Sequence, residues 1–407
     1  MTYPPMTLTT LEALVPRDIN AEVEICDEFY QKVNYHKHYD IVAISFCTPS
    51  AVKAYEIADT YRKSGSHVVL GGYHTTFMPD EALQHADSII IGAGEVSWPM
   101  FLYDFKDCIP KKIYENRIFN PDKFVSPNRS LLKTRKYMKV PTMIANNGCY
   151  NKCDYCAIGH MWESNLRPVD KVINEIKRLK TNKLIFFDPN FFQNKDYSME
   201  LLKEIEKLKI KWVCNATTAD AYDHELMESA GKSGCMGVLL GLESFKKASL
   251  KEVNKKINNP DKYKEIVELY HQYGISVNGC FVLGFDSDTE EDLLMLPQQV
   301  GDLRLNLARF AILTPFPNSE LFNKLDKEGR ILTRDWRKYT QNQVVFQPKN
   351  ITPEKLHEIY LKVWKDTYKF KNIYNRISNM PHTDLMLKFT VWGANIGFKF
   401  VGDNIRE

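Results

Sequence analysis

The chain has 407 residues, of which 44 % are hydrophobic and 26 % charged, close to the average of globular proteins. This composition excludes wholesale disorder and collagen-like or mucin-like architectures, and the length predicts two or three domains. The 54 lysines and arginines against 51 aspartates and glutamates leave a net charge of +3, too near balance to indicate nucleic acid or an anionic membrane as a partner without a local patch.

Targeting signals and cysteine usage indicate the compartment. No run of about 18 apolar residues is present, and the first residues lack the basic and then apolar layout of a signal peptide. The sequence therefore predicts a cytoplasmic protein without a transmembrane segment. Its nine cysteines are an odd number, unlike a disulfide framework, and three of them lie within eight residues. Clustered thiols in a reducing compartment more often bind metal or do redox chemistry.

Residues 1–110 alternate short apolar runs with amphipathic stretches. Short apolar runs are typical of buried parallel strands, and they predict strands over 21–26, 40–45, 67–72 and 88–92. Residues 51–65 have the period of a helix and end in Gly65. The alternation predicts a doubly wound, Rossmann-like sheet whose ligand crevice lies at the carboxyl ends of the strands.

Small residues and glycines occupy those carboxyl ends. They include 45–49, 71–74 and 92–95. Glycines there let a flat or phosphate-bearing ligand approach the backbone, but they also serve as ordinary turns. His74 is interpreted either as an axial metal ligand or as a hydrogen-bonded loop histidine, and its local sequence favours the second.

From 141 to 330 the alternation repeats six times. Strands are predicted over 142–148, 183–188, 211–216, 235–244, 276–285 and 307–315. Helices are predicted over 167–180, 198–209, 260–274 and 288–303. Six such units predict a partial (β/α)6 TIM barrel with its chemistry at the carboxyl rim.

Three cysteines follow the first of these strands, spaced by three and then two residues: Cys149, Cys153 and Cys156. Three thiolates in a short loop can hold one polynuclear iron site, and the missing fourth leaves one iron open to a substrate or cofactor. The alternatives are a structural cluster or a zinc knuckle. Structural zinc needs four protein ligands, and His160 is the only nearby candidate for the fourth.

The Cys-x3-Cys-x2-Cys loop, with Tyr155 before the last cysteine, resembles that of the radical S-adenosylmethionine (SAM) superfamily. This resemblance implies that Cys149, Cys153 and Cys156 hold a [4Fe–4S] cluster whose open iron binds SAM. One-electron cleavage of SAM would then give a 5′-deoxyadenosyl radical that abstracts hydrogen from an unactivated carbon. A barrel that excludes water would protect this radical.

Further segments at the rim resemble SAM-binding elements of this superfamily. They are Phe187–Phe191 for the methionine amino group, Gly241–Ser244 for the ribose and carboxylate, Cys280–Thr289 for the adenine, and Thr314–Ser319, in which Asn318-Ser319 replaces the usual Gly-Thr. Asn318 keeps the turn feasible because asparagine tolerates left-handed conformations. The residues that the resemblance implies as SAM-binding are Tyr155, Asp188, Asn190, Glu243, Ser244, Phe281, Leu283 and Thr314.

The first segment resembles the cobalamin-binding domain that many members of the superfamily carry. The resemblance includes Tyr3-Pro4-Pro5 and implies a corrin flanked by Ser45, Thr48, Gly71, Gly72, Tyr73, His74, Gly92, Gly94 and Glu95. No Asp-x-His-x-x-Gly is present, so coordination of cobalt by a histidine is not expected. The usual strand before Tyr-Pro-Pro is also missing, and the alternative is a cofactor-free lid over the barrel.

Residues 111–140 are basic and turn-rich and are predicted to be a linker. Residues 331–407 are predicted to form a small helical cap, with a helix over 352–370. Trp336, Tyr339 and Phe346 in this cap are interpreted as substrate contacts or, more often for such residues, as core. The apolar end of the chain is interpreted as a docking helix, or else as a site for a partner or a lipid-like substrate.

Two cofactor domains in this order predict a cobalamin-dependent radical SAM enzyme, most simply a methyltransferase that moves a methyl group from methylcobalamin to a substrate radical. The alternatives are cyclisation, oxidation or carbon–carbon bond formation, and a non-enzymatic iron–sulfur or zinc sensor. A methylthio-transferring tRNA enzyme would need three N-terminal cluster cysteines. Cys26, Cys47 and Cys108 make three, but two of them lie in apolar, strand-like runs.

The expected partners are a small-molecule or lipid-like substrate and an external one-electron reductant of the ferredoxin or flavodoxin type, without nucleic acid. Substrate specificity lies in rim and cap residues that have no transferable motif. The sequence therefore names no catalytic residue that acts on the substrate.

Overall fold

The structure is a computed structural model, and it describes residues 3–118, 123–132, 137–161, 164–378 and 385–404. Its first part is a four-stranded parallel sheet in the order β1-β2-β3-β4. The elements of this part are α1 (Met6–Ala13), β1 (Ile41–Ser45), α2 (Ala51–Lys63), β2 (His67–Gly71), α3 (Tyr73–Phe77), α4 (Pro79–Ala82), β3 (Ser88–Gly92), α5 (Gly94–Lys106) and β4 (Ile113–Asn116).

Helices cover both faces of this first sheet because its strands are apolar on both sides. Along β2, Val68 and Leu70 pack with α2 on one face, whereas Val69 packs with α5 on the other. Strands buried on both faces are typical of parallel sheets. The Rossmann-like architecture predicted for this part is thereby confirmed.

Two predictions for this part are wrong. Residues 21–26 form no strand: their side chains are mostly exposed, and Glu24 bonds instead to the side chains of Lys37 and Tyr39. Among the described residues, β1 pairs only with β2, so no outer strand stands beside it for 21–26 to join. The predicted linker begins with β4, which forms because Tyr114 is buried against α5.

The second part is a six-stranded parallel sheet in the order β12-β11-β10-β9-β8-β5, with helices outside, and it confirms the predicted partial barrel. Its elements are β5 (Thr142–Met143), β6 (Asn146–Asn147), β7 (Asn165–Leu166), α6 (Val169–Leu179), β8 (Lys183–Phe186), α7 (Lys195–Leu208), β9 (Lys211–Ala216), α8 (His224–Lys232), β10 (Cys235–Glu243), α9 (Lys247–Glu252), α10 (Tyr263–Gln272), β11 (Ser276–Leu283), α11 (Glu290–Leu294), α12 (Leu296–Asp302), β12 (Leu307–Ile312) and α13 (Glu320–Lys327).

Side chains alternate between two environments along each barrel strand. One set packs against the helices in the main hydrophobic core, for example Leu240 on β10 and Phe310 on β12. The other set faces the opposite side of the sheet, which is the lumen of the barrel. Any ligand inside the barrel therefore contacts the second set.

The chain ends with α14 (Pro353–Thr367), α15 (Phe370–Ser378) and α16 (Leu385–Asn404). Trp336, Tyr339 and Phe346 are at most 4 % exposed. Trp336 and Tyr339 belong to the core of the first sheet, so this segment packs against the first domain, and the interpretation of the three residues as core is confirmed. Within the described ranges, no helix combines the length and the apolar character needed to cross a membrane.

Candidate active site

The cysteine loop lies at the carboxyl rim of the barrel. Cys153 is buried, and Cys149 and Cys156 are partly exposed. Burial raises the pKa of Cys153 to about 11. The Gly159 amide donates to Sγ of Cys156 at 3.3 Å, and hydrogen bonds of this kind tune the sulfur ligands of iron–sulfur clusters. Two backbone bonds at Asp154, with Val253 and with Leu321, fix the loop to the opposite side of the rim.

This set of soft sulfur donors fits an iron–sulfur cluster. Among the described side chains, no group of three or more His, Cys, Asp or Glu converges on the position of a single metal ion. A [4Fe–4S] cluster takes its thiolates at separate corners and needs no such convergence. The residues that would hold it are the three predicted cysteines.

Asp188 braces the strand that leads into this loop. Its carboxylate is fully buried and accepts hydrogen bonds from the backbone amides of Ala145 and Asn146. Burial raises the pKa of Asp188 to about 7, although these bonds and Arg167 lower it. Its oxygens are thus engaged by the protein, which revises the predicted SAM contact to a positioning role.

Asn190, two residues after Asp188, has a buried side-chain oxygen that makes no hydrogen bond to the described residues. The side chain is 5 % exposed, and this oxygen is its Oδ1. A buried acceptor without a donor costs free energy unless a ligand satisfies it. The predicted amino group of SAM is a donor that would do so.

The backbone of Glu243 is strained. Its φ is +66°, in the left-handed region, and it lies where the register of β10 and β11 shifts. A Cβ at Gly241 would come within 2.3 Å of its Oε1, so only glycine leaves the carboxylate in place. Strain of this kind in a non-glycine residue is typical of functional sites.

Lys255 is a site residue that no sequence motif indicated. Its Nζ lies 3.4 Å from Oε1 of Glu243, and both side chains are largely buried. Burial lowers the pKa of Lys255, but Glu243, Cys153 and Cys156 raise it more, so the lysine is a cation beside the cluster loop. A lysine in a basic loop far from the cysteines in sequence gave no signal of this role.

Tyr155 lies in the same group. Burial, followed by the charge of Glu243, raises its pKa well above the ordinary value, so the residue is a neutral phenol. The structure therefore brings the three cysteines, Tyr155, Glu243 and Lys255 together at one rim.

Phe281 and Leu283 face away from this site. Phe281 stacks on Phe245 and Phe310, and Leu283 lies in the core between sheet and helices. The predicted SAM contact of these two residues therefore does not involve their side chains, which lie on the outer face of β11. The lumen side of this strand carries Cys280, opposite Arg309 of β12.

Ser244 and Thr314 use their hydroxyl groups locally. Ser244 Oγ accepts from the Lys246 amide at 3.0 Å, and Thr314 donates to the Ile312 carbonyl at 3.0 Å. Asn318 has a φ of +67°, which confirms the left-handed turn that asparagine was expected to allow. The hydroxyl groups of Ser244 and Thr314 thus stabilise the backbone of the rim.

The glycines at the first sheet's rim are explained by backbone packing. A Cβ at Gly72 would lie 2.6 Å from the Phe46 carbonyl oxygen, and one at Gly92 would lie 2.1 Å from that of Asn116. Their left-handed φ values add a second reason for glycine. The turn interpretation therefore suffices for Gly72 and Gly92, whereas Gly71 and Gly94 have only ordinary contacts at this position.

His74 is a buried structural residue. Its ring is fully buried, with Nδ1 3.2 Å from the Thr48 hydroxyl and Nε2 3.3 Å from the Glu81 carboxylate. Thr48 is 3 % exposed and is the partner of His74, so both side chains are engaged inside the protein. The interpretation of His74 as a hydrogen-bonded loop residue is confirmed.

The remaining residues of this rim fit a corrin held without a histidine ligand. Ser45, Tyr73 and Glu95 surround the carboxyl ends of β1 to β3, and Tyr73 and Glu95 are partly exposed. Burial raises the pKa of both Tyr73 and Glu95, with Cys47 and Glu95 adding to the effect on the tyrosine. The partly exposed Gly71 and Gly94 beside them leave backbone that a large, flat ligand can approach.

The two rims meet through the start of the chain. The rings of Tyr3 and Phe187 pack edge to face with their centroids 5.0 Å apart, and Phe187 follows β8 at the barrel rim. The charge of Arg309, on the edge strand β12, also reaches Tyr3. Arg309 is exposed and has no ion-pair partner among the described side chains. Tyr3, Phe187 and Arg309 are all exposed, and the surface around Tyr3 where the two domains meet is called the opening between the domains below.

Three family models match the chain in succession. Residues 9–100 match the B12 binding domain, residues 143–298 the radical SAM superfamily, and residues 319–387 a domain of unknown function (DUF4070). The first two matches cover the two rims described above.

Two relatives from Chlorobaculum tepidum are similar over most of the chain. Its bacteriochlorophyllide d C-8(2)-methyltransferase is 31 % identical over 92 % of this chain and 88 % of its own length. Its C-12(1)-methyltransferase is 31 % identical over 84 % and 78 %. Among solved structures, the cobalamin-dependent SAM radical enzyme OxsB, with aqua-cobalamin and SAM bound, has a TM-score of 0.74 at 13 % identity over 99 % of this chain and 69 % of its own.

Proposed function

Since the chain belongs to the cobalamin-dependent branch of the radical SAM superfamily, we propose that it methylates a hydrophobic small molecule that carries an anionic group. Its cofactors are a [4Fe–4S] cluster, SAM and cobalamin, and it is a methyltransferase. When bound, these groups supply one-electron cleavage of SAM and a transferable methyl group. The chain's own residues bind and position these groups and the substrate.

We assign the cluster to Cys149, Cys153 and Cys156. For SAM we assign the unsatisfied Oδ1 of Asn190 to a donor such as the amino group, and the Glu243–Lys255 pair to the polar groups nearby. Lys255 is the cation and Glu243 the acceptor, so together they can hold both signs of a zwitterion. Asp188 holds the strand beneath, which fixes the loop relative to Asn190.

The substrate is assigned to the opening between the domains. Tyr3 and Phe187 supply aromatic walls, and Arg309 supplies a cation without an intramolecular partner. A guanidinium in an apolar wall selects carboxylate or phosphate because its fork binds two oxygens at once. The observation that carries the substrate class is this unpaired Arg309, whose charge reaches Tyr3, one of two exposed aromatic rings in contact.

The test is anaerobic reconstitution with iron, sulfide and hydroxocobalamin, followed by turnover with SAM and a reductant. About four irons and a retained corrin absorption are expected. Both relatives act on a bacteriochlorophyllide, so such pigments are the first substrates to screen. A product heavier by one methylene supports methyl transfer, whereas a cyclised or oxidised product formed with full turnover would reject it.

Arg309 gives a separate test of the substrate class. In Arg309→Gln, SAM cleavage without substrate should remain, whereas KM for the anionic substrate should rise at least about tenfold. Arg309→Lys keeps the charge and should fall between the two. An unchanged KM in Arg309→Gln would exclude the proposed anion contact and leave the assignment of the cofactors intact.

A further inference from the structure

The C-terminal helices expose aromatic side chains on their outer face. Tyr374 and Phe370 on α15 are 65 % and 62 % exposed, and Phe389 and Trp392 on α16 are 72 % and 42 % exposed. Isolated apolar residues on a surface need no explanation, but a contiguous patch indicates an interaction site. These four aromatic residues are called the outer aromatic face below.

The outer aromatic face is one surface. Ile377 of α15 packs against Leu387 and Val391 of α16, and Lys399 lies over the ring of Phe370. The two helices are therefore held side by side. In α16, Val391 and Asn395 face the protein, and Phe389 lies about half a turn away from Val391 on the solvent side.

Helix α16 is apolar on the side that faces the protein and on the side that faces solvent. A helix that is hydrophobic all round is normally covered on both sides. Gly393 and Gly397 lie in its interior with no atom within 4 Å of an added Cβ, so packing within the chain does not explain two helix-weakening residues. The solvent side of α16 therefore has features that a monomer in water does not need.

The segment that carries this face has an excess of positive charge. Residues 362–404 contain seven lysines and arginines against three aspartates, whereas the whole chain carries only +3. Of these, Lys365, Lys371 and Lys388 form no ion pair among the described residues. Lys371 and Lys388 are the chain neighbours of Phe370 and Phe389. Exposed aromatic residues with lysines next to them are typical of a surface that lies on an anionic bilayer.

We propose that the outer aromatic face docks this protein on the surface of an anionic lipid bilayer. The charges favour this occupant over a second copy of the chain, which would bring the same excess of lysines to the interface. The described aspartates of this segment, Asp366 and Asp403, already pair with lysines of their own chain. Asn395 of α16 donates to the carbonyl of Asn306, which precedes β12, so the helix that carries this face packs at the amino end of that strand.

The experiment is flotation of the full-length, reconstituted protein with vesicles of phosphatidylcholine alone or mixed with phosphatidylglycerol. Wild type should float with the anionic vesicles at low salt, and 0.5 M salt should reduce the fraction bound, since the screening length falls from roughly 10 Å at 0.1 M toward 3 Å at 1 M. Tyr374→Gln with Phe389→Gln should lower the partition coefficient about tenfold or more.

Matched variants control for general surface effects. Phe29→Gln with Ile118→Gln removes two side chains of similar exposure, 71 % and 76 %, in the first domain and should bind as wild type does. Lys371→Gln with Lys388→Gln should weaken binding to anionic vesicles only, and Lys203→Gln with Lys264→Gln should not. SAM cleavage by all these variants reports that they are folded.

Three results would overturn the proposal. The first is that wild type does not float with anionic vesicles. The second is that the double variant Tyr374→Gln with Phe389→Gln floats to the same extent as wild type. The third is that binding depends neither on salt nor on lipid charge. Light scattering adds a fourth: a wild-type dimer that this aromatic variant converts to monomer would assign the face to a second copy instead.

Discussion

Trp336 and Glu81 are 255 residues apart in the chain, and the indole N–H of Trp336 donates to the Glu81 carboxylate at 2.9 Å. The same carboxylate meets Nε2 of His74, whose other nitrogen meets Thr48. The C-terminal segment is thereby connected, through one buried series of polar contacts, to the loop after β1 at the proposed cobalamin rim.

Trp336→Phe should loosen this connection while it keeps most of the apolar area. A hydrogen bond to a charged group contributes about 1.5–3 kcal/mol, so we expect a lower melting temperature and faster tryptic cleavage between the first domain and the barrel. Cobalamin retention on gel filtration should fall as well. Trp392→Phe, at a half-exposed position, is the control, and equal behaviour of the two variants would argue against the connection.

Replacing any one of Cys149, Cys153 and Cys156 by alanine should abolish cluster assembly. Anaerobic reconstitution of each variant should leave less than one iron per chain, against about four in wild type. Cys26→Ala and Cys108→Ala change exposed cysteines outside the site and should retain full iron. A cluster-loop variant with wild-type iron and an unchanged visible spectrum would contradict the assignment.

Lys255→Met should weaken SAM binding. The change leaves Glu243 buried without its cation, which is destabilising, and removes the positive charge beside the cluster loop. We expect the SAM concentration for half-maximal 5′-deoxyadenosine formation to rise by about tenfold or more. Lys247→Met removes a more exposed ion pair nearby and should change it little.

Gly241→Ala and Glu243→Gln should both lower SAM-dependent 5′-deoxyadenosine formation. The added methyl group would displace the Glu243 carboxylate, which is the mobile end of a side chain, so the fold should survive while the pair with Lys255 is disturbed. The measurement is SAM-dependent 5′-deoxyadenosine formation, with the melting temperature as a check of folding. Gly301→Ala meets no atom within 4 Å and serves as the control.

Asp188 should make stability fall as pH rises. Burial raises the folded-state pKa of Asp188 to about 7 from an ordinary 3.8, so the folded state binds the proton more tightly. Its protonated form therefore favours folding, and this contribution is progressively lost between about pH 4 and pH 7. We expect the melting temperature of wild type, relative to Asp188→Asn, to fall from pH 5.5 to 8. A flat difference over that range would show that Asp188 is ionised throughout.

Periodicity and the cysteine spacing were sufficient for much of the fold. The six barrel strands and the cluster loop follow from local patterns, because buried parallel strands are apolar runs wherever they occur. Residues 21–26 show the limit of this signal: the run is apolar enough for a strand, but a strand also needs a neighbour with free hydrogen-bonding groups. Tyr114 shows the converse, since one buried aromatic ring suffices for an edge strand in a charged stretch.

The site was harder to predict from the sequence because its residues come together only after folding. Lys255 lies about 100 residues beyond the cysteines, in a loop where lysines are ordinarily solvated. Phe281 and Leu283 were placed on the wrong face because a segment-level resemblance does not say which of two alternating faces meets the ligand. Arg309 gave no signal at all, since its proximity to Tyr3 depends on how the two domains approach each other.

The contact between Tyr3 and Phe187 limits how modular this enzyme can be. The first domain supplies one wall of the opening into the second, so the two are not independent cofactor carriers joined by a linker. A chimera that took its first domain from a relative would exchange substrate selectivity together with cobalamin affinity. Divergence within such a family can therefore start from substitutions in either half of the chain.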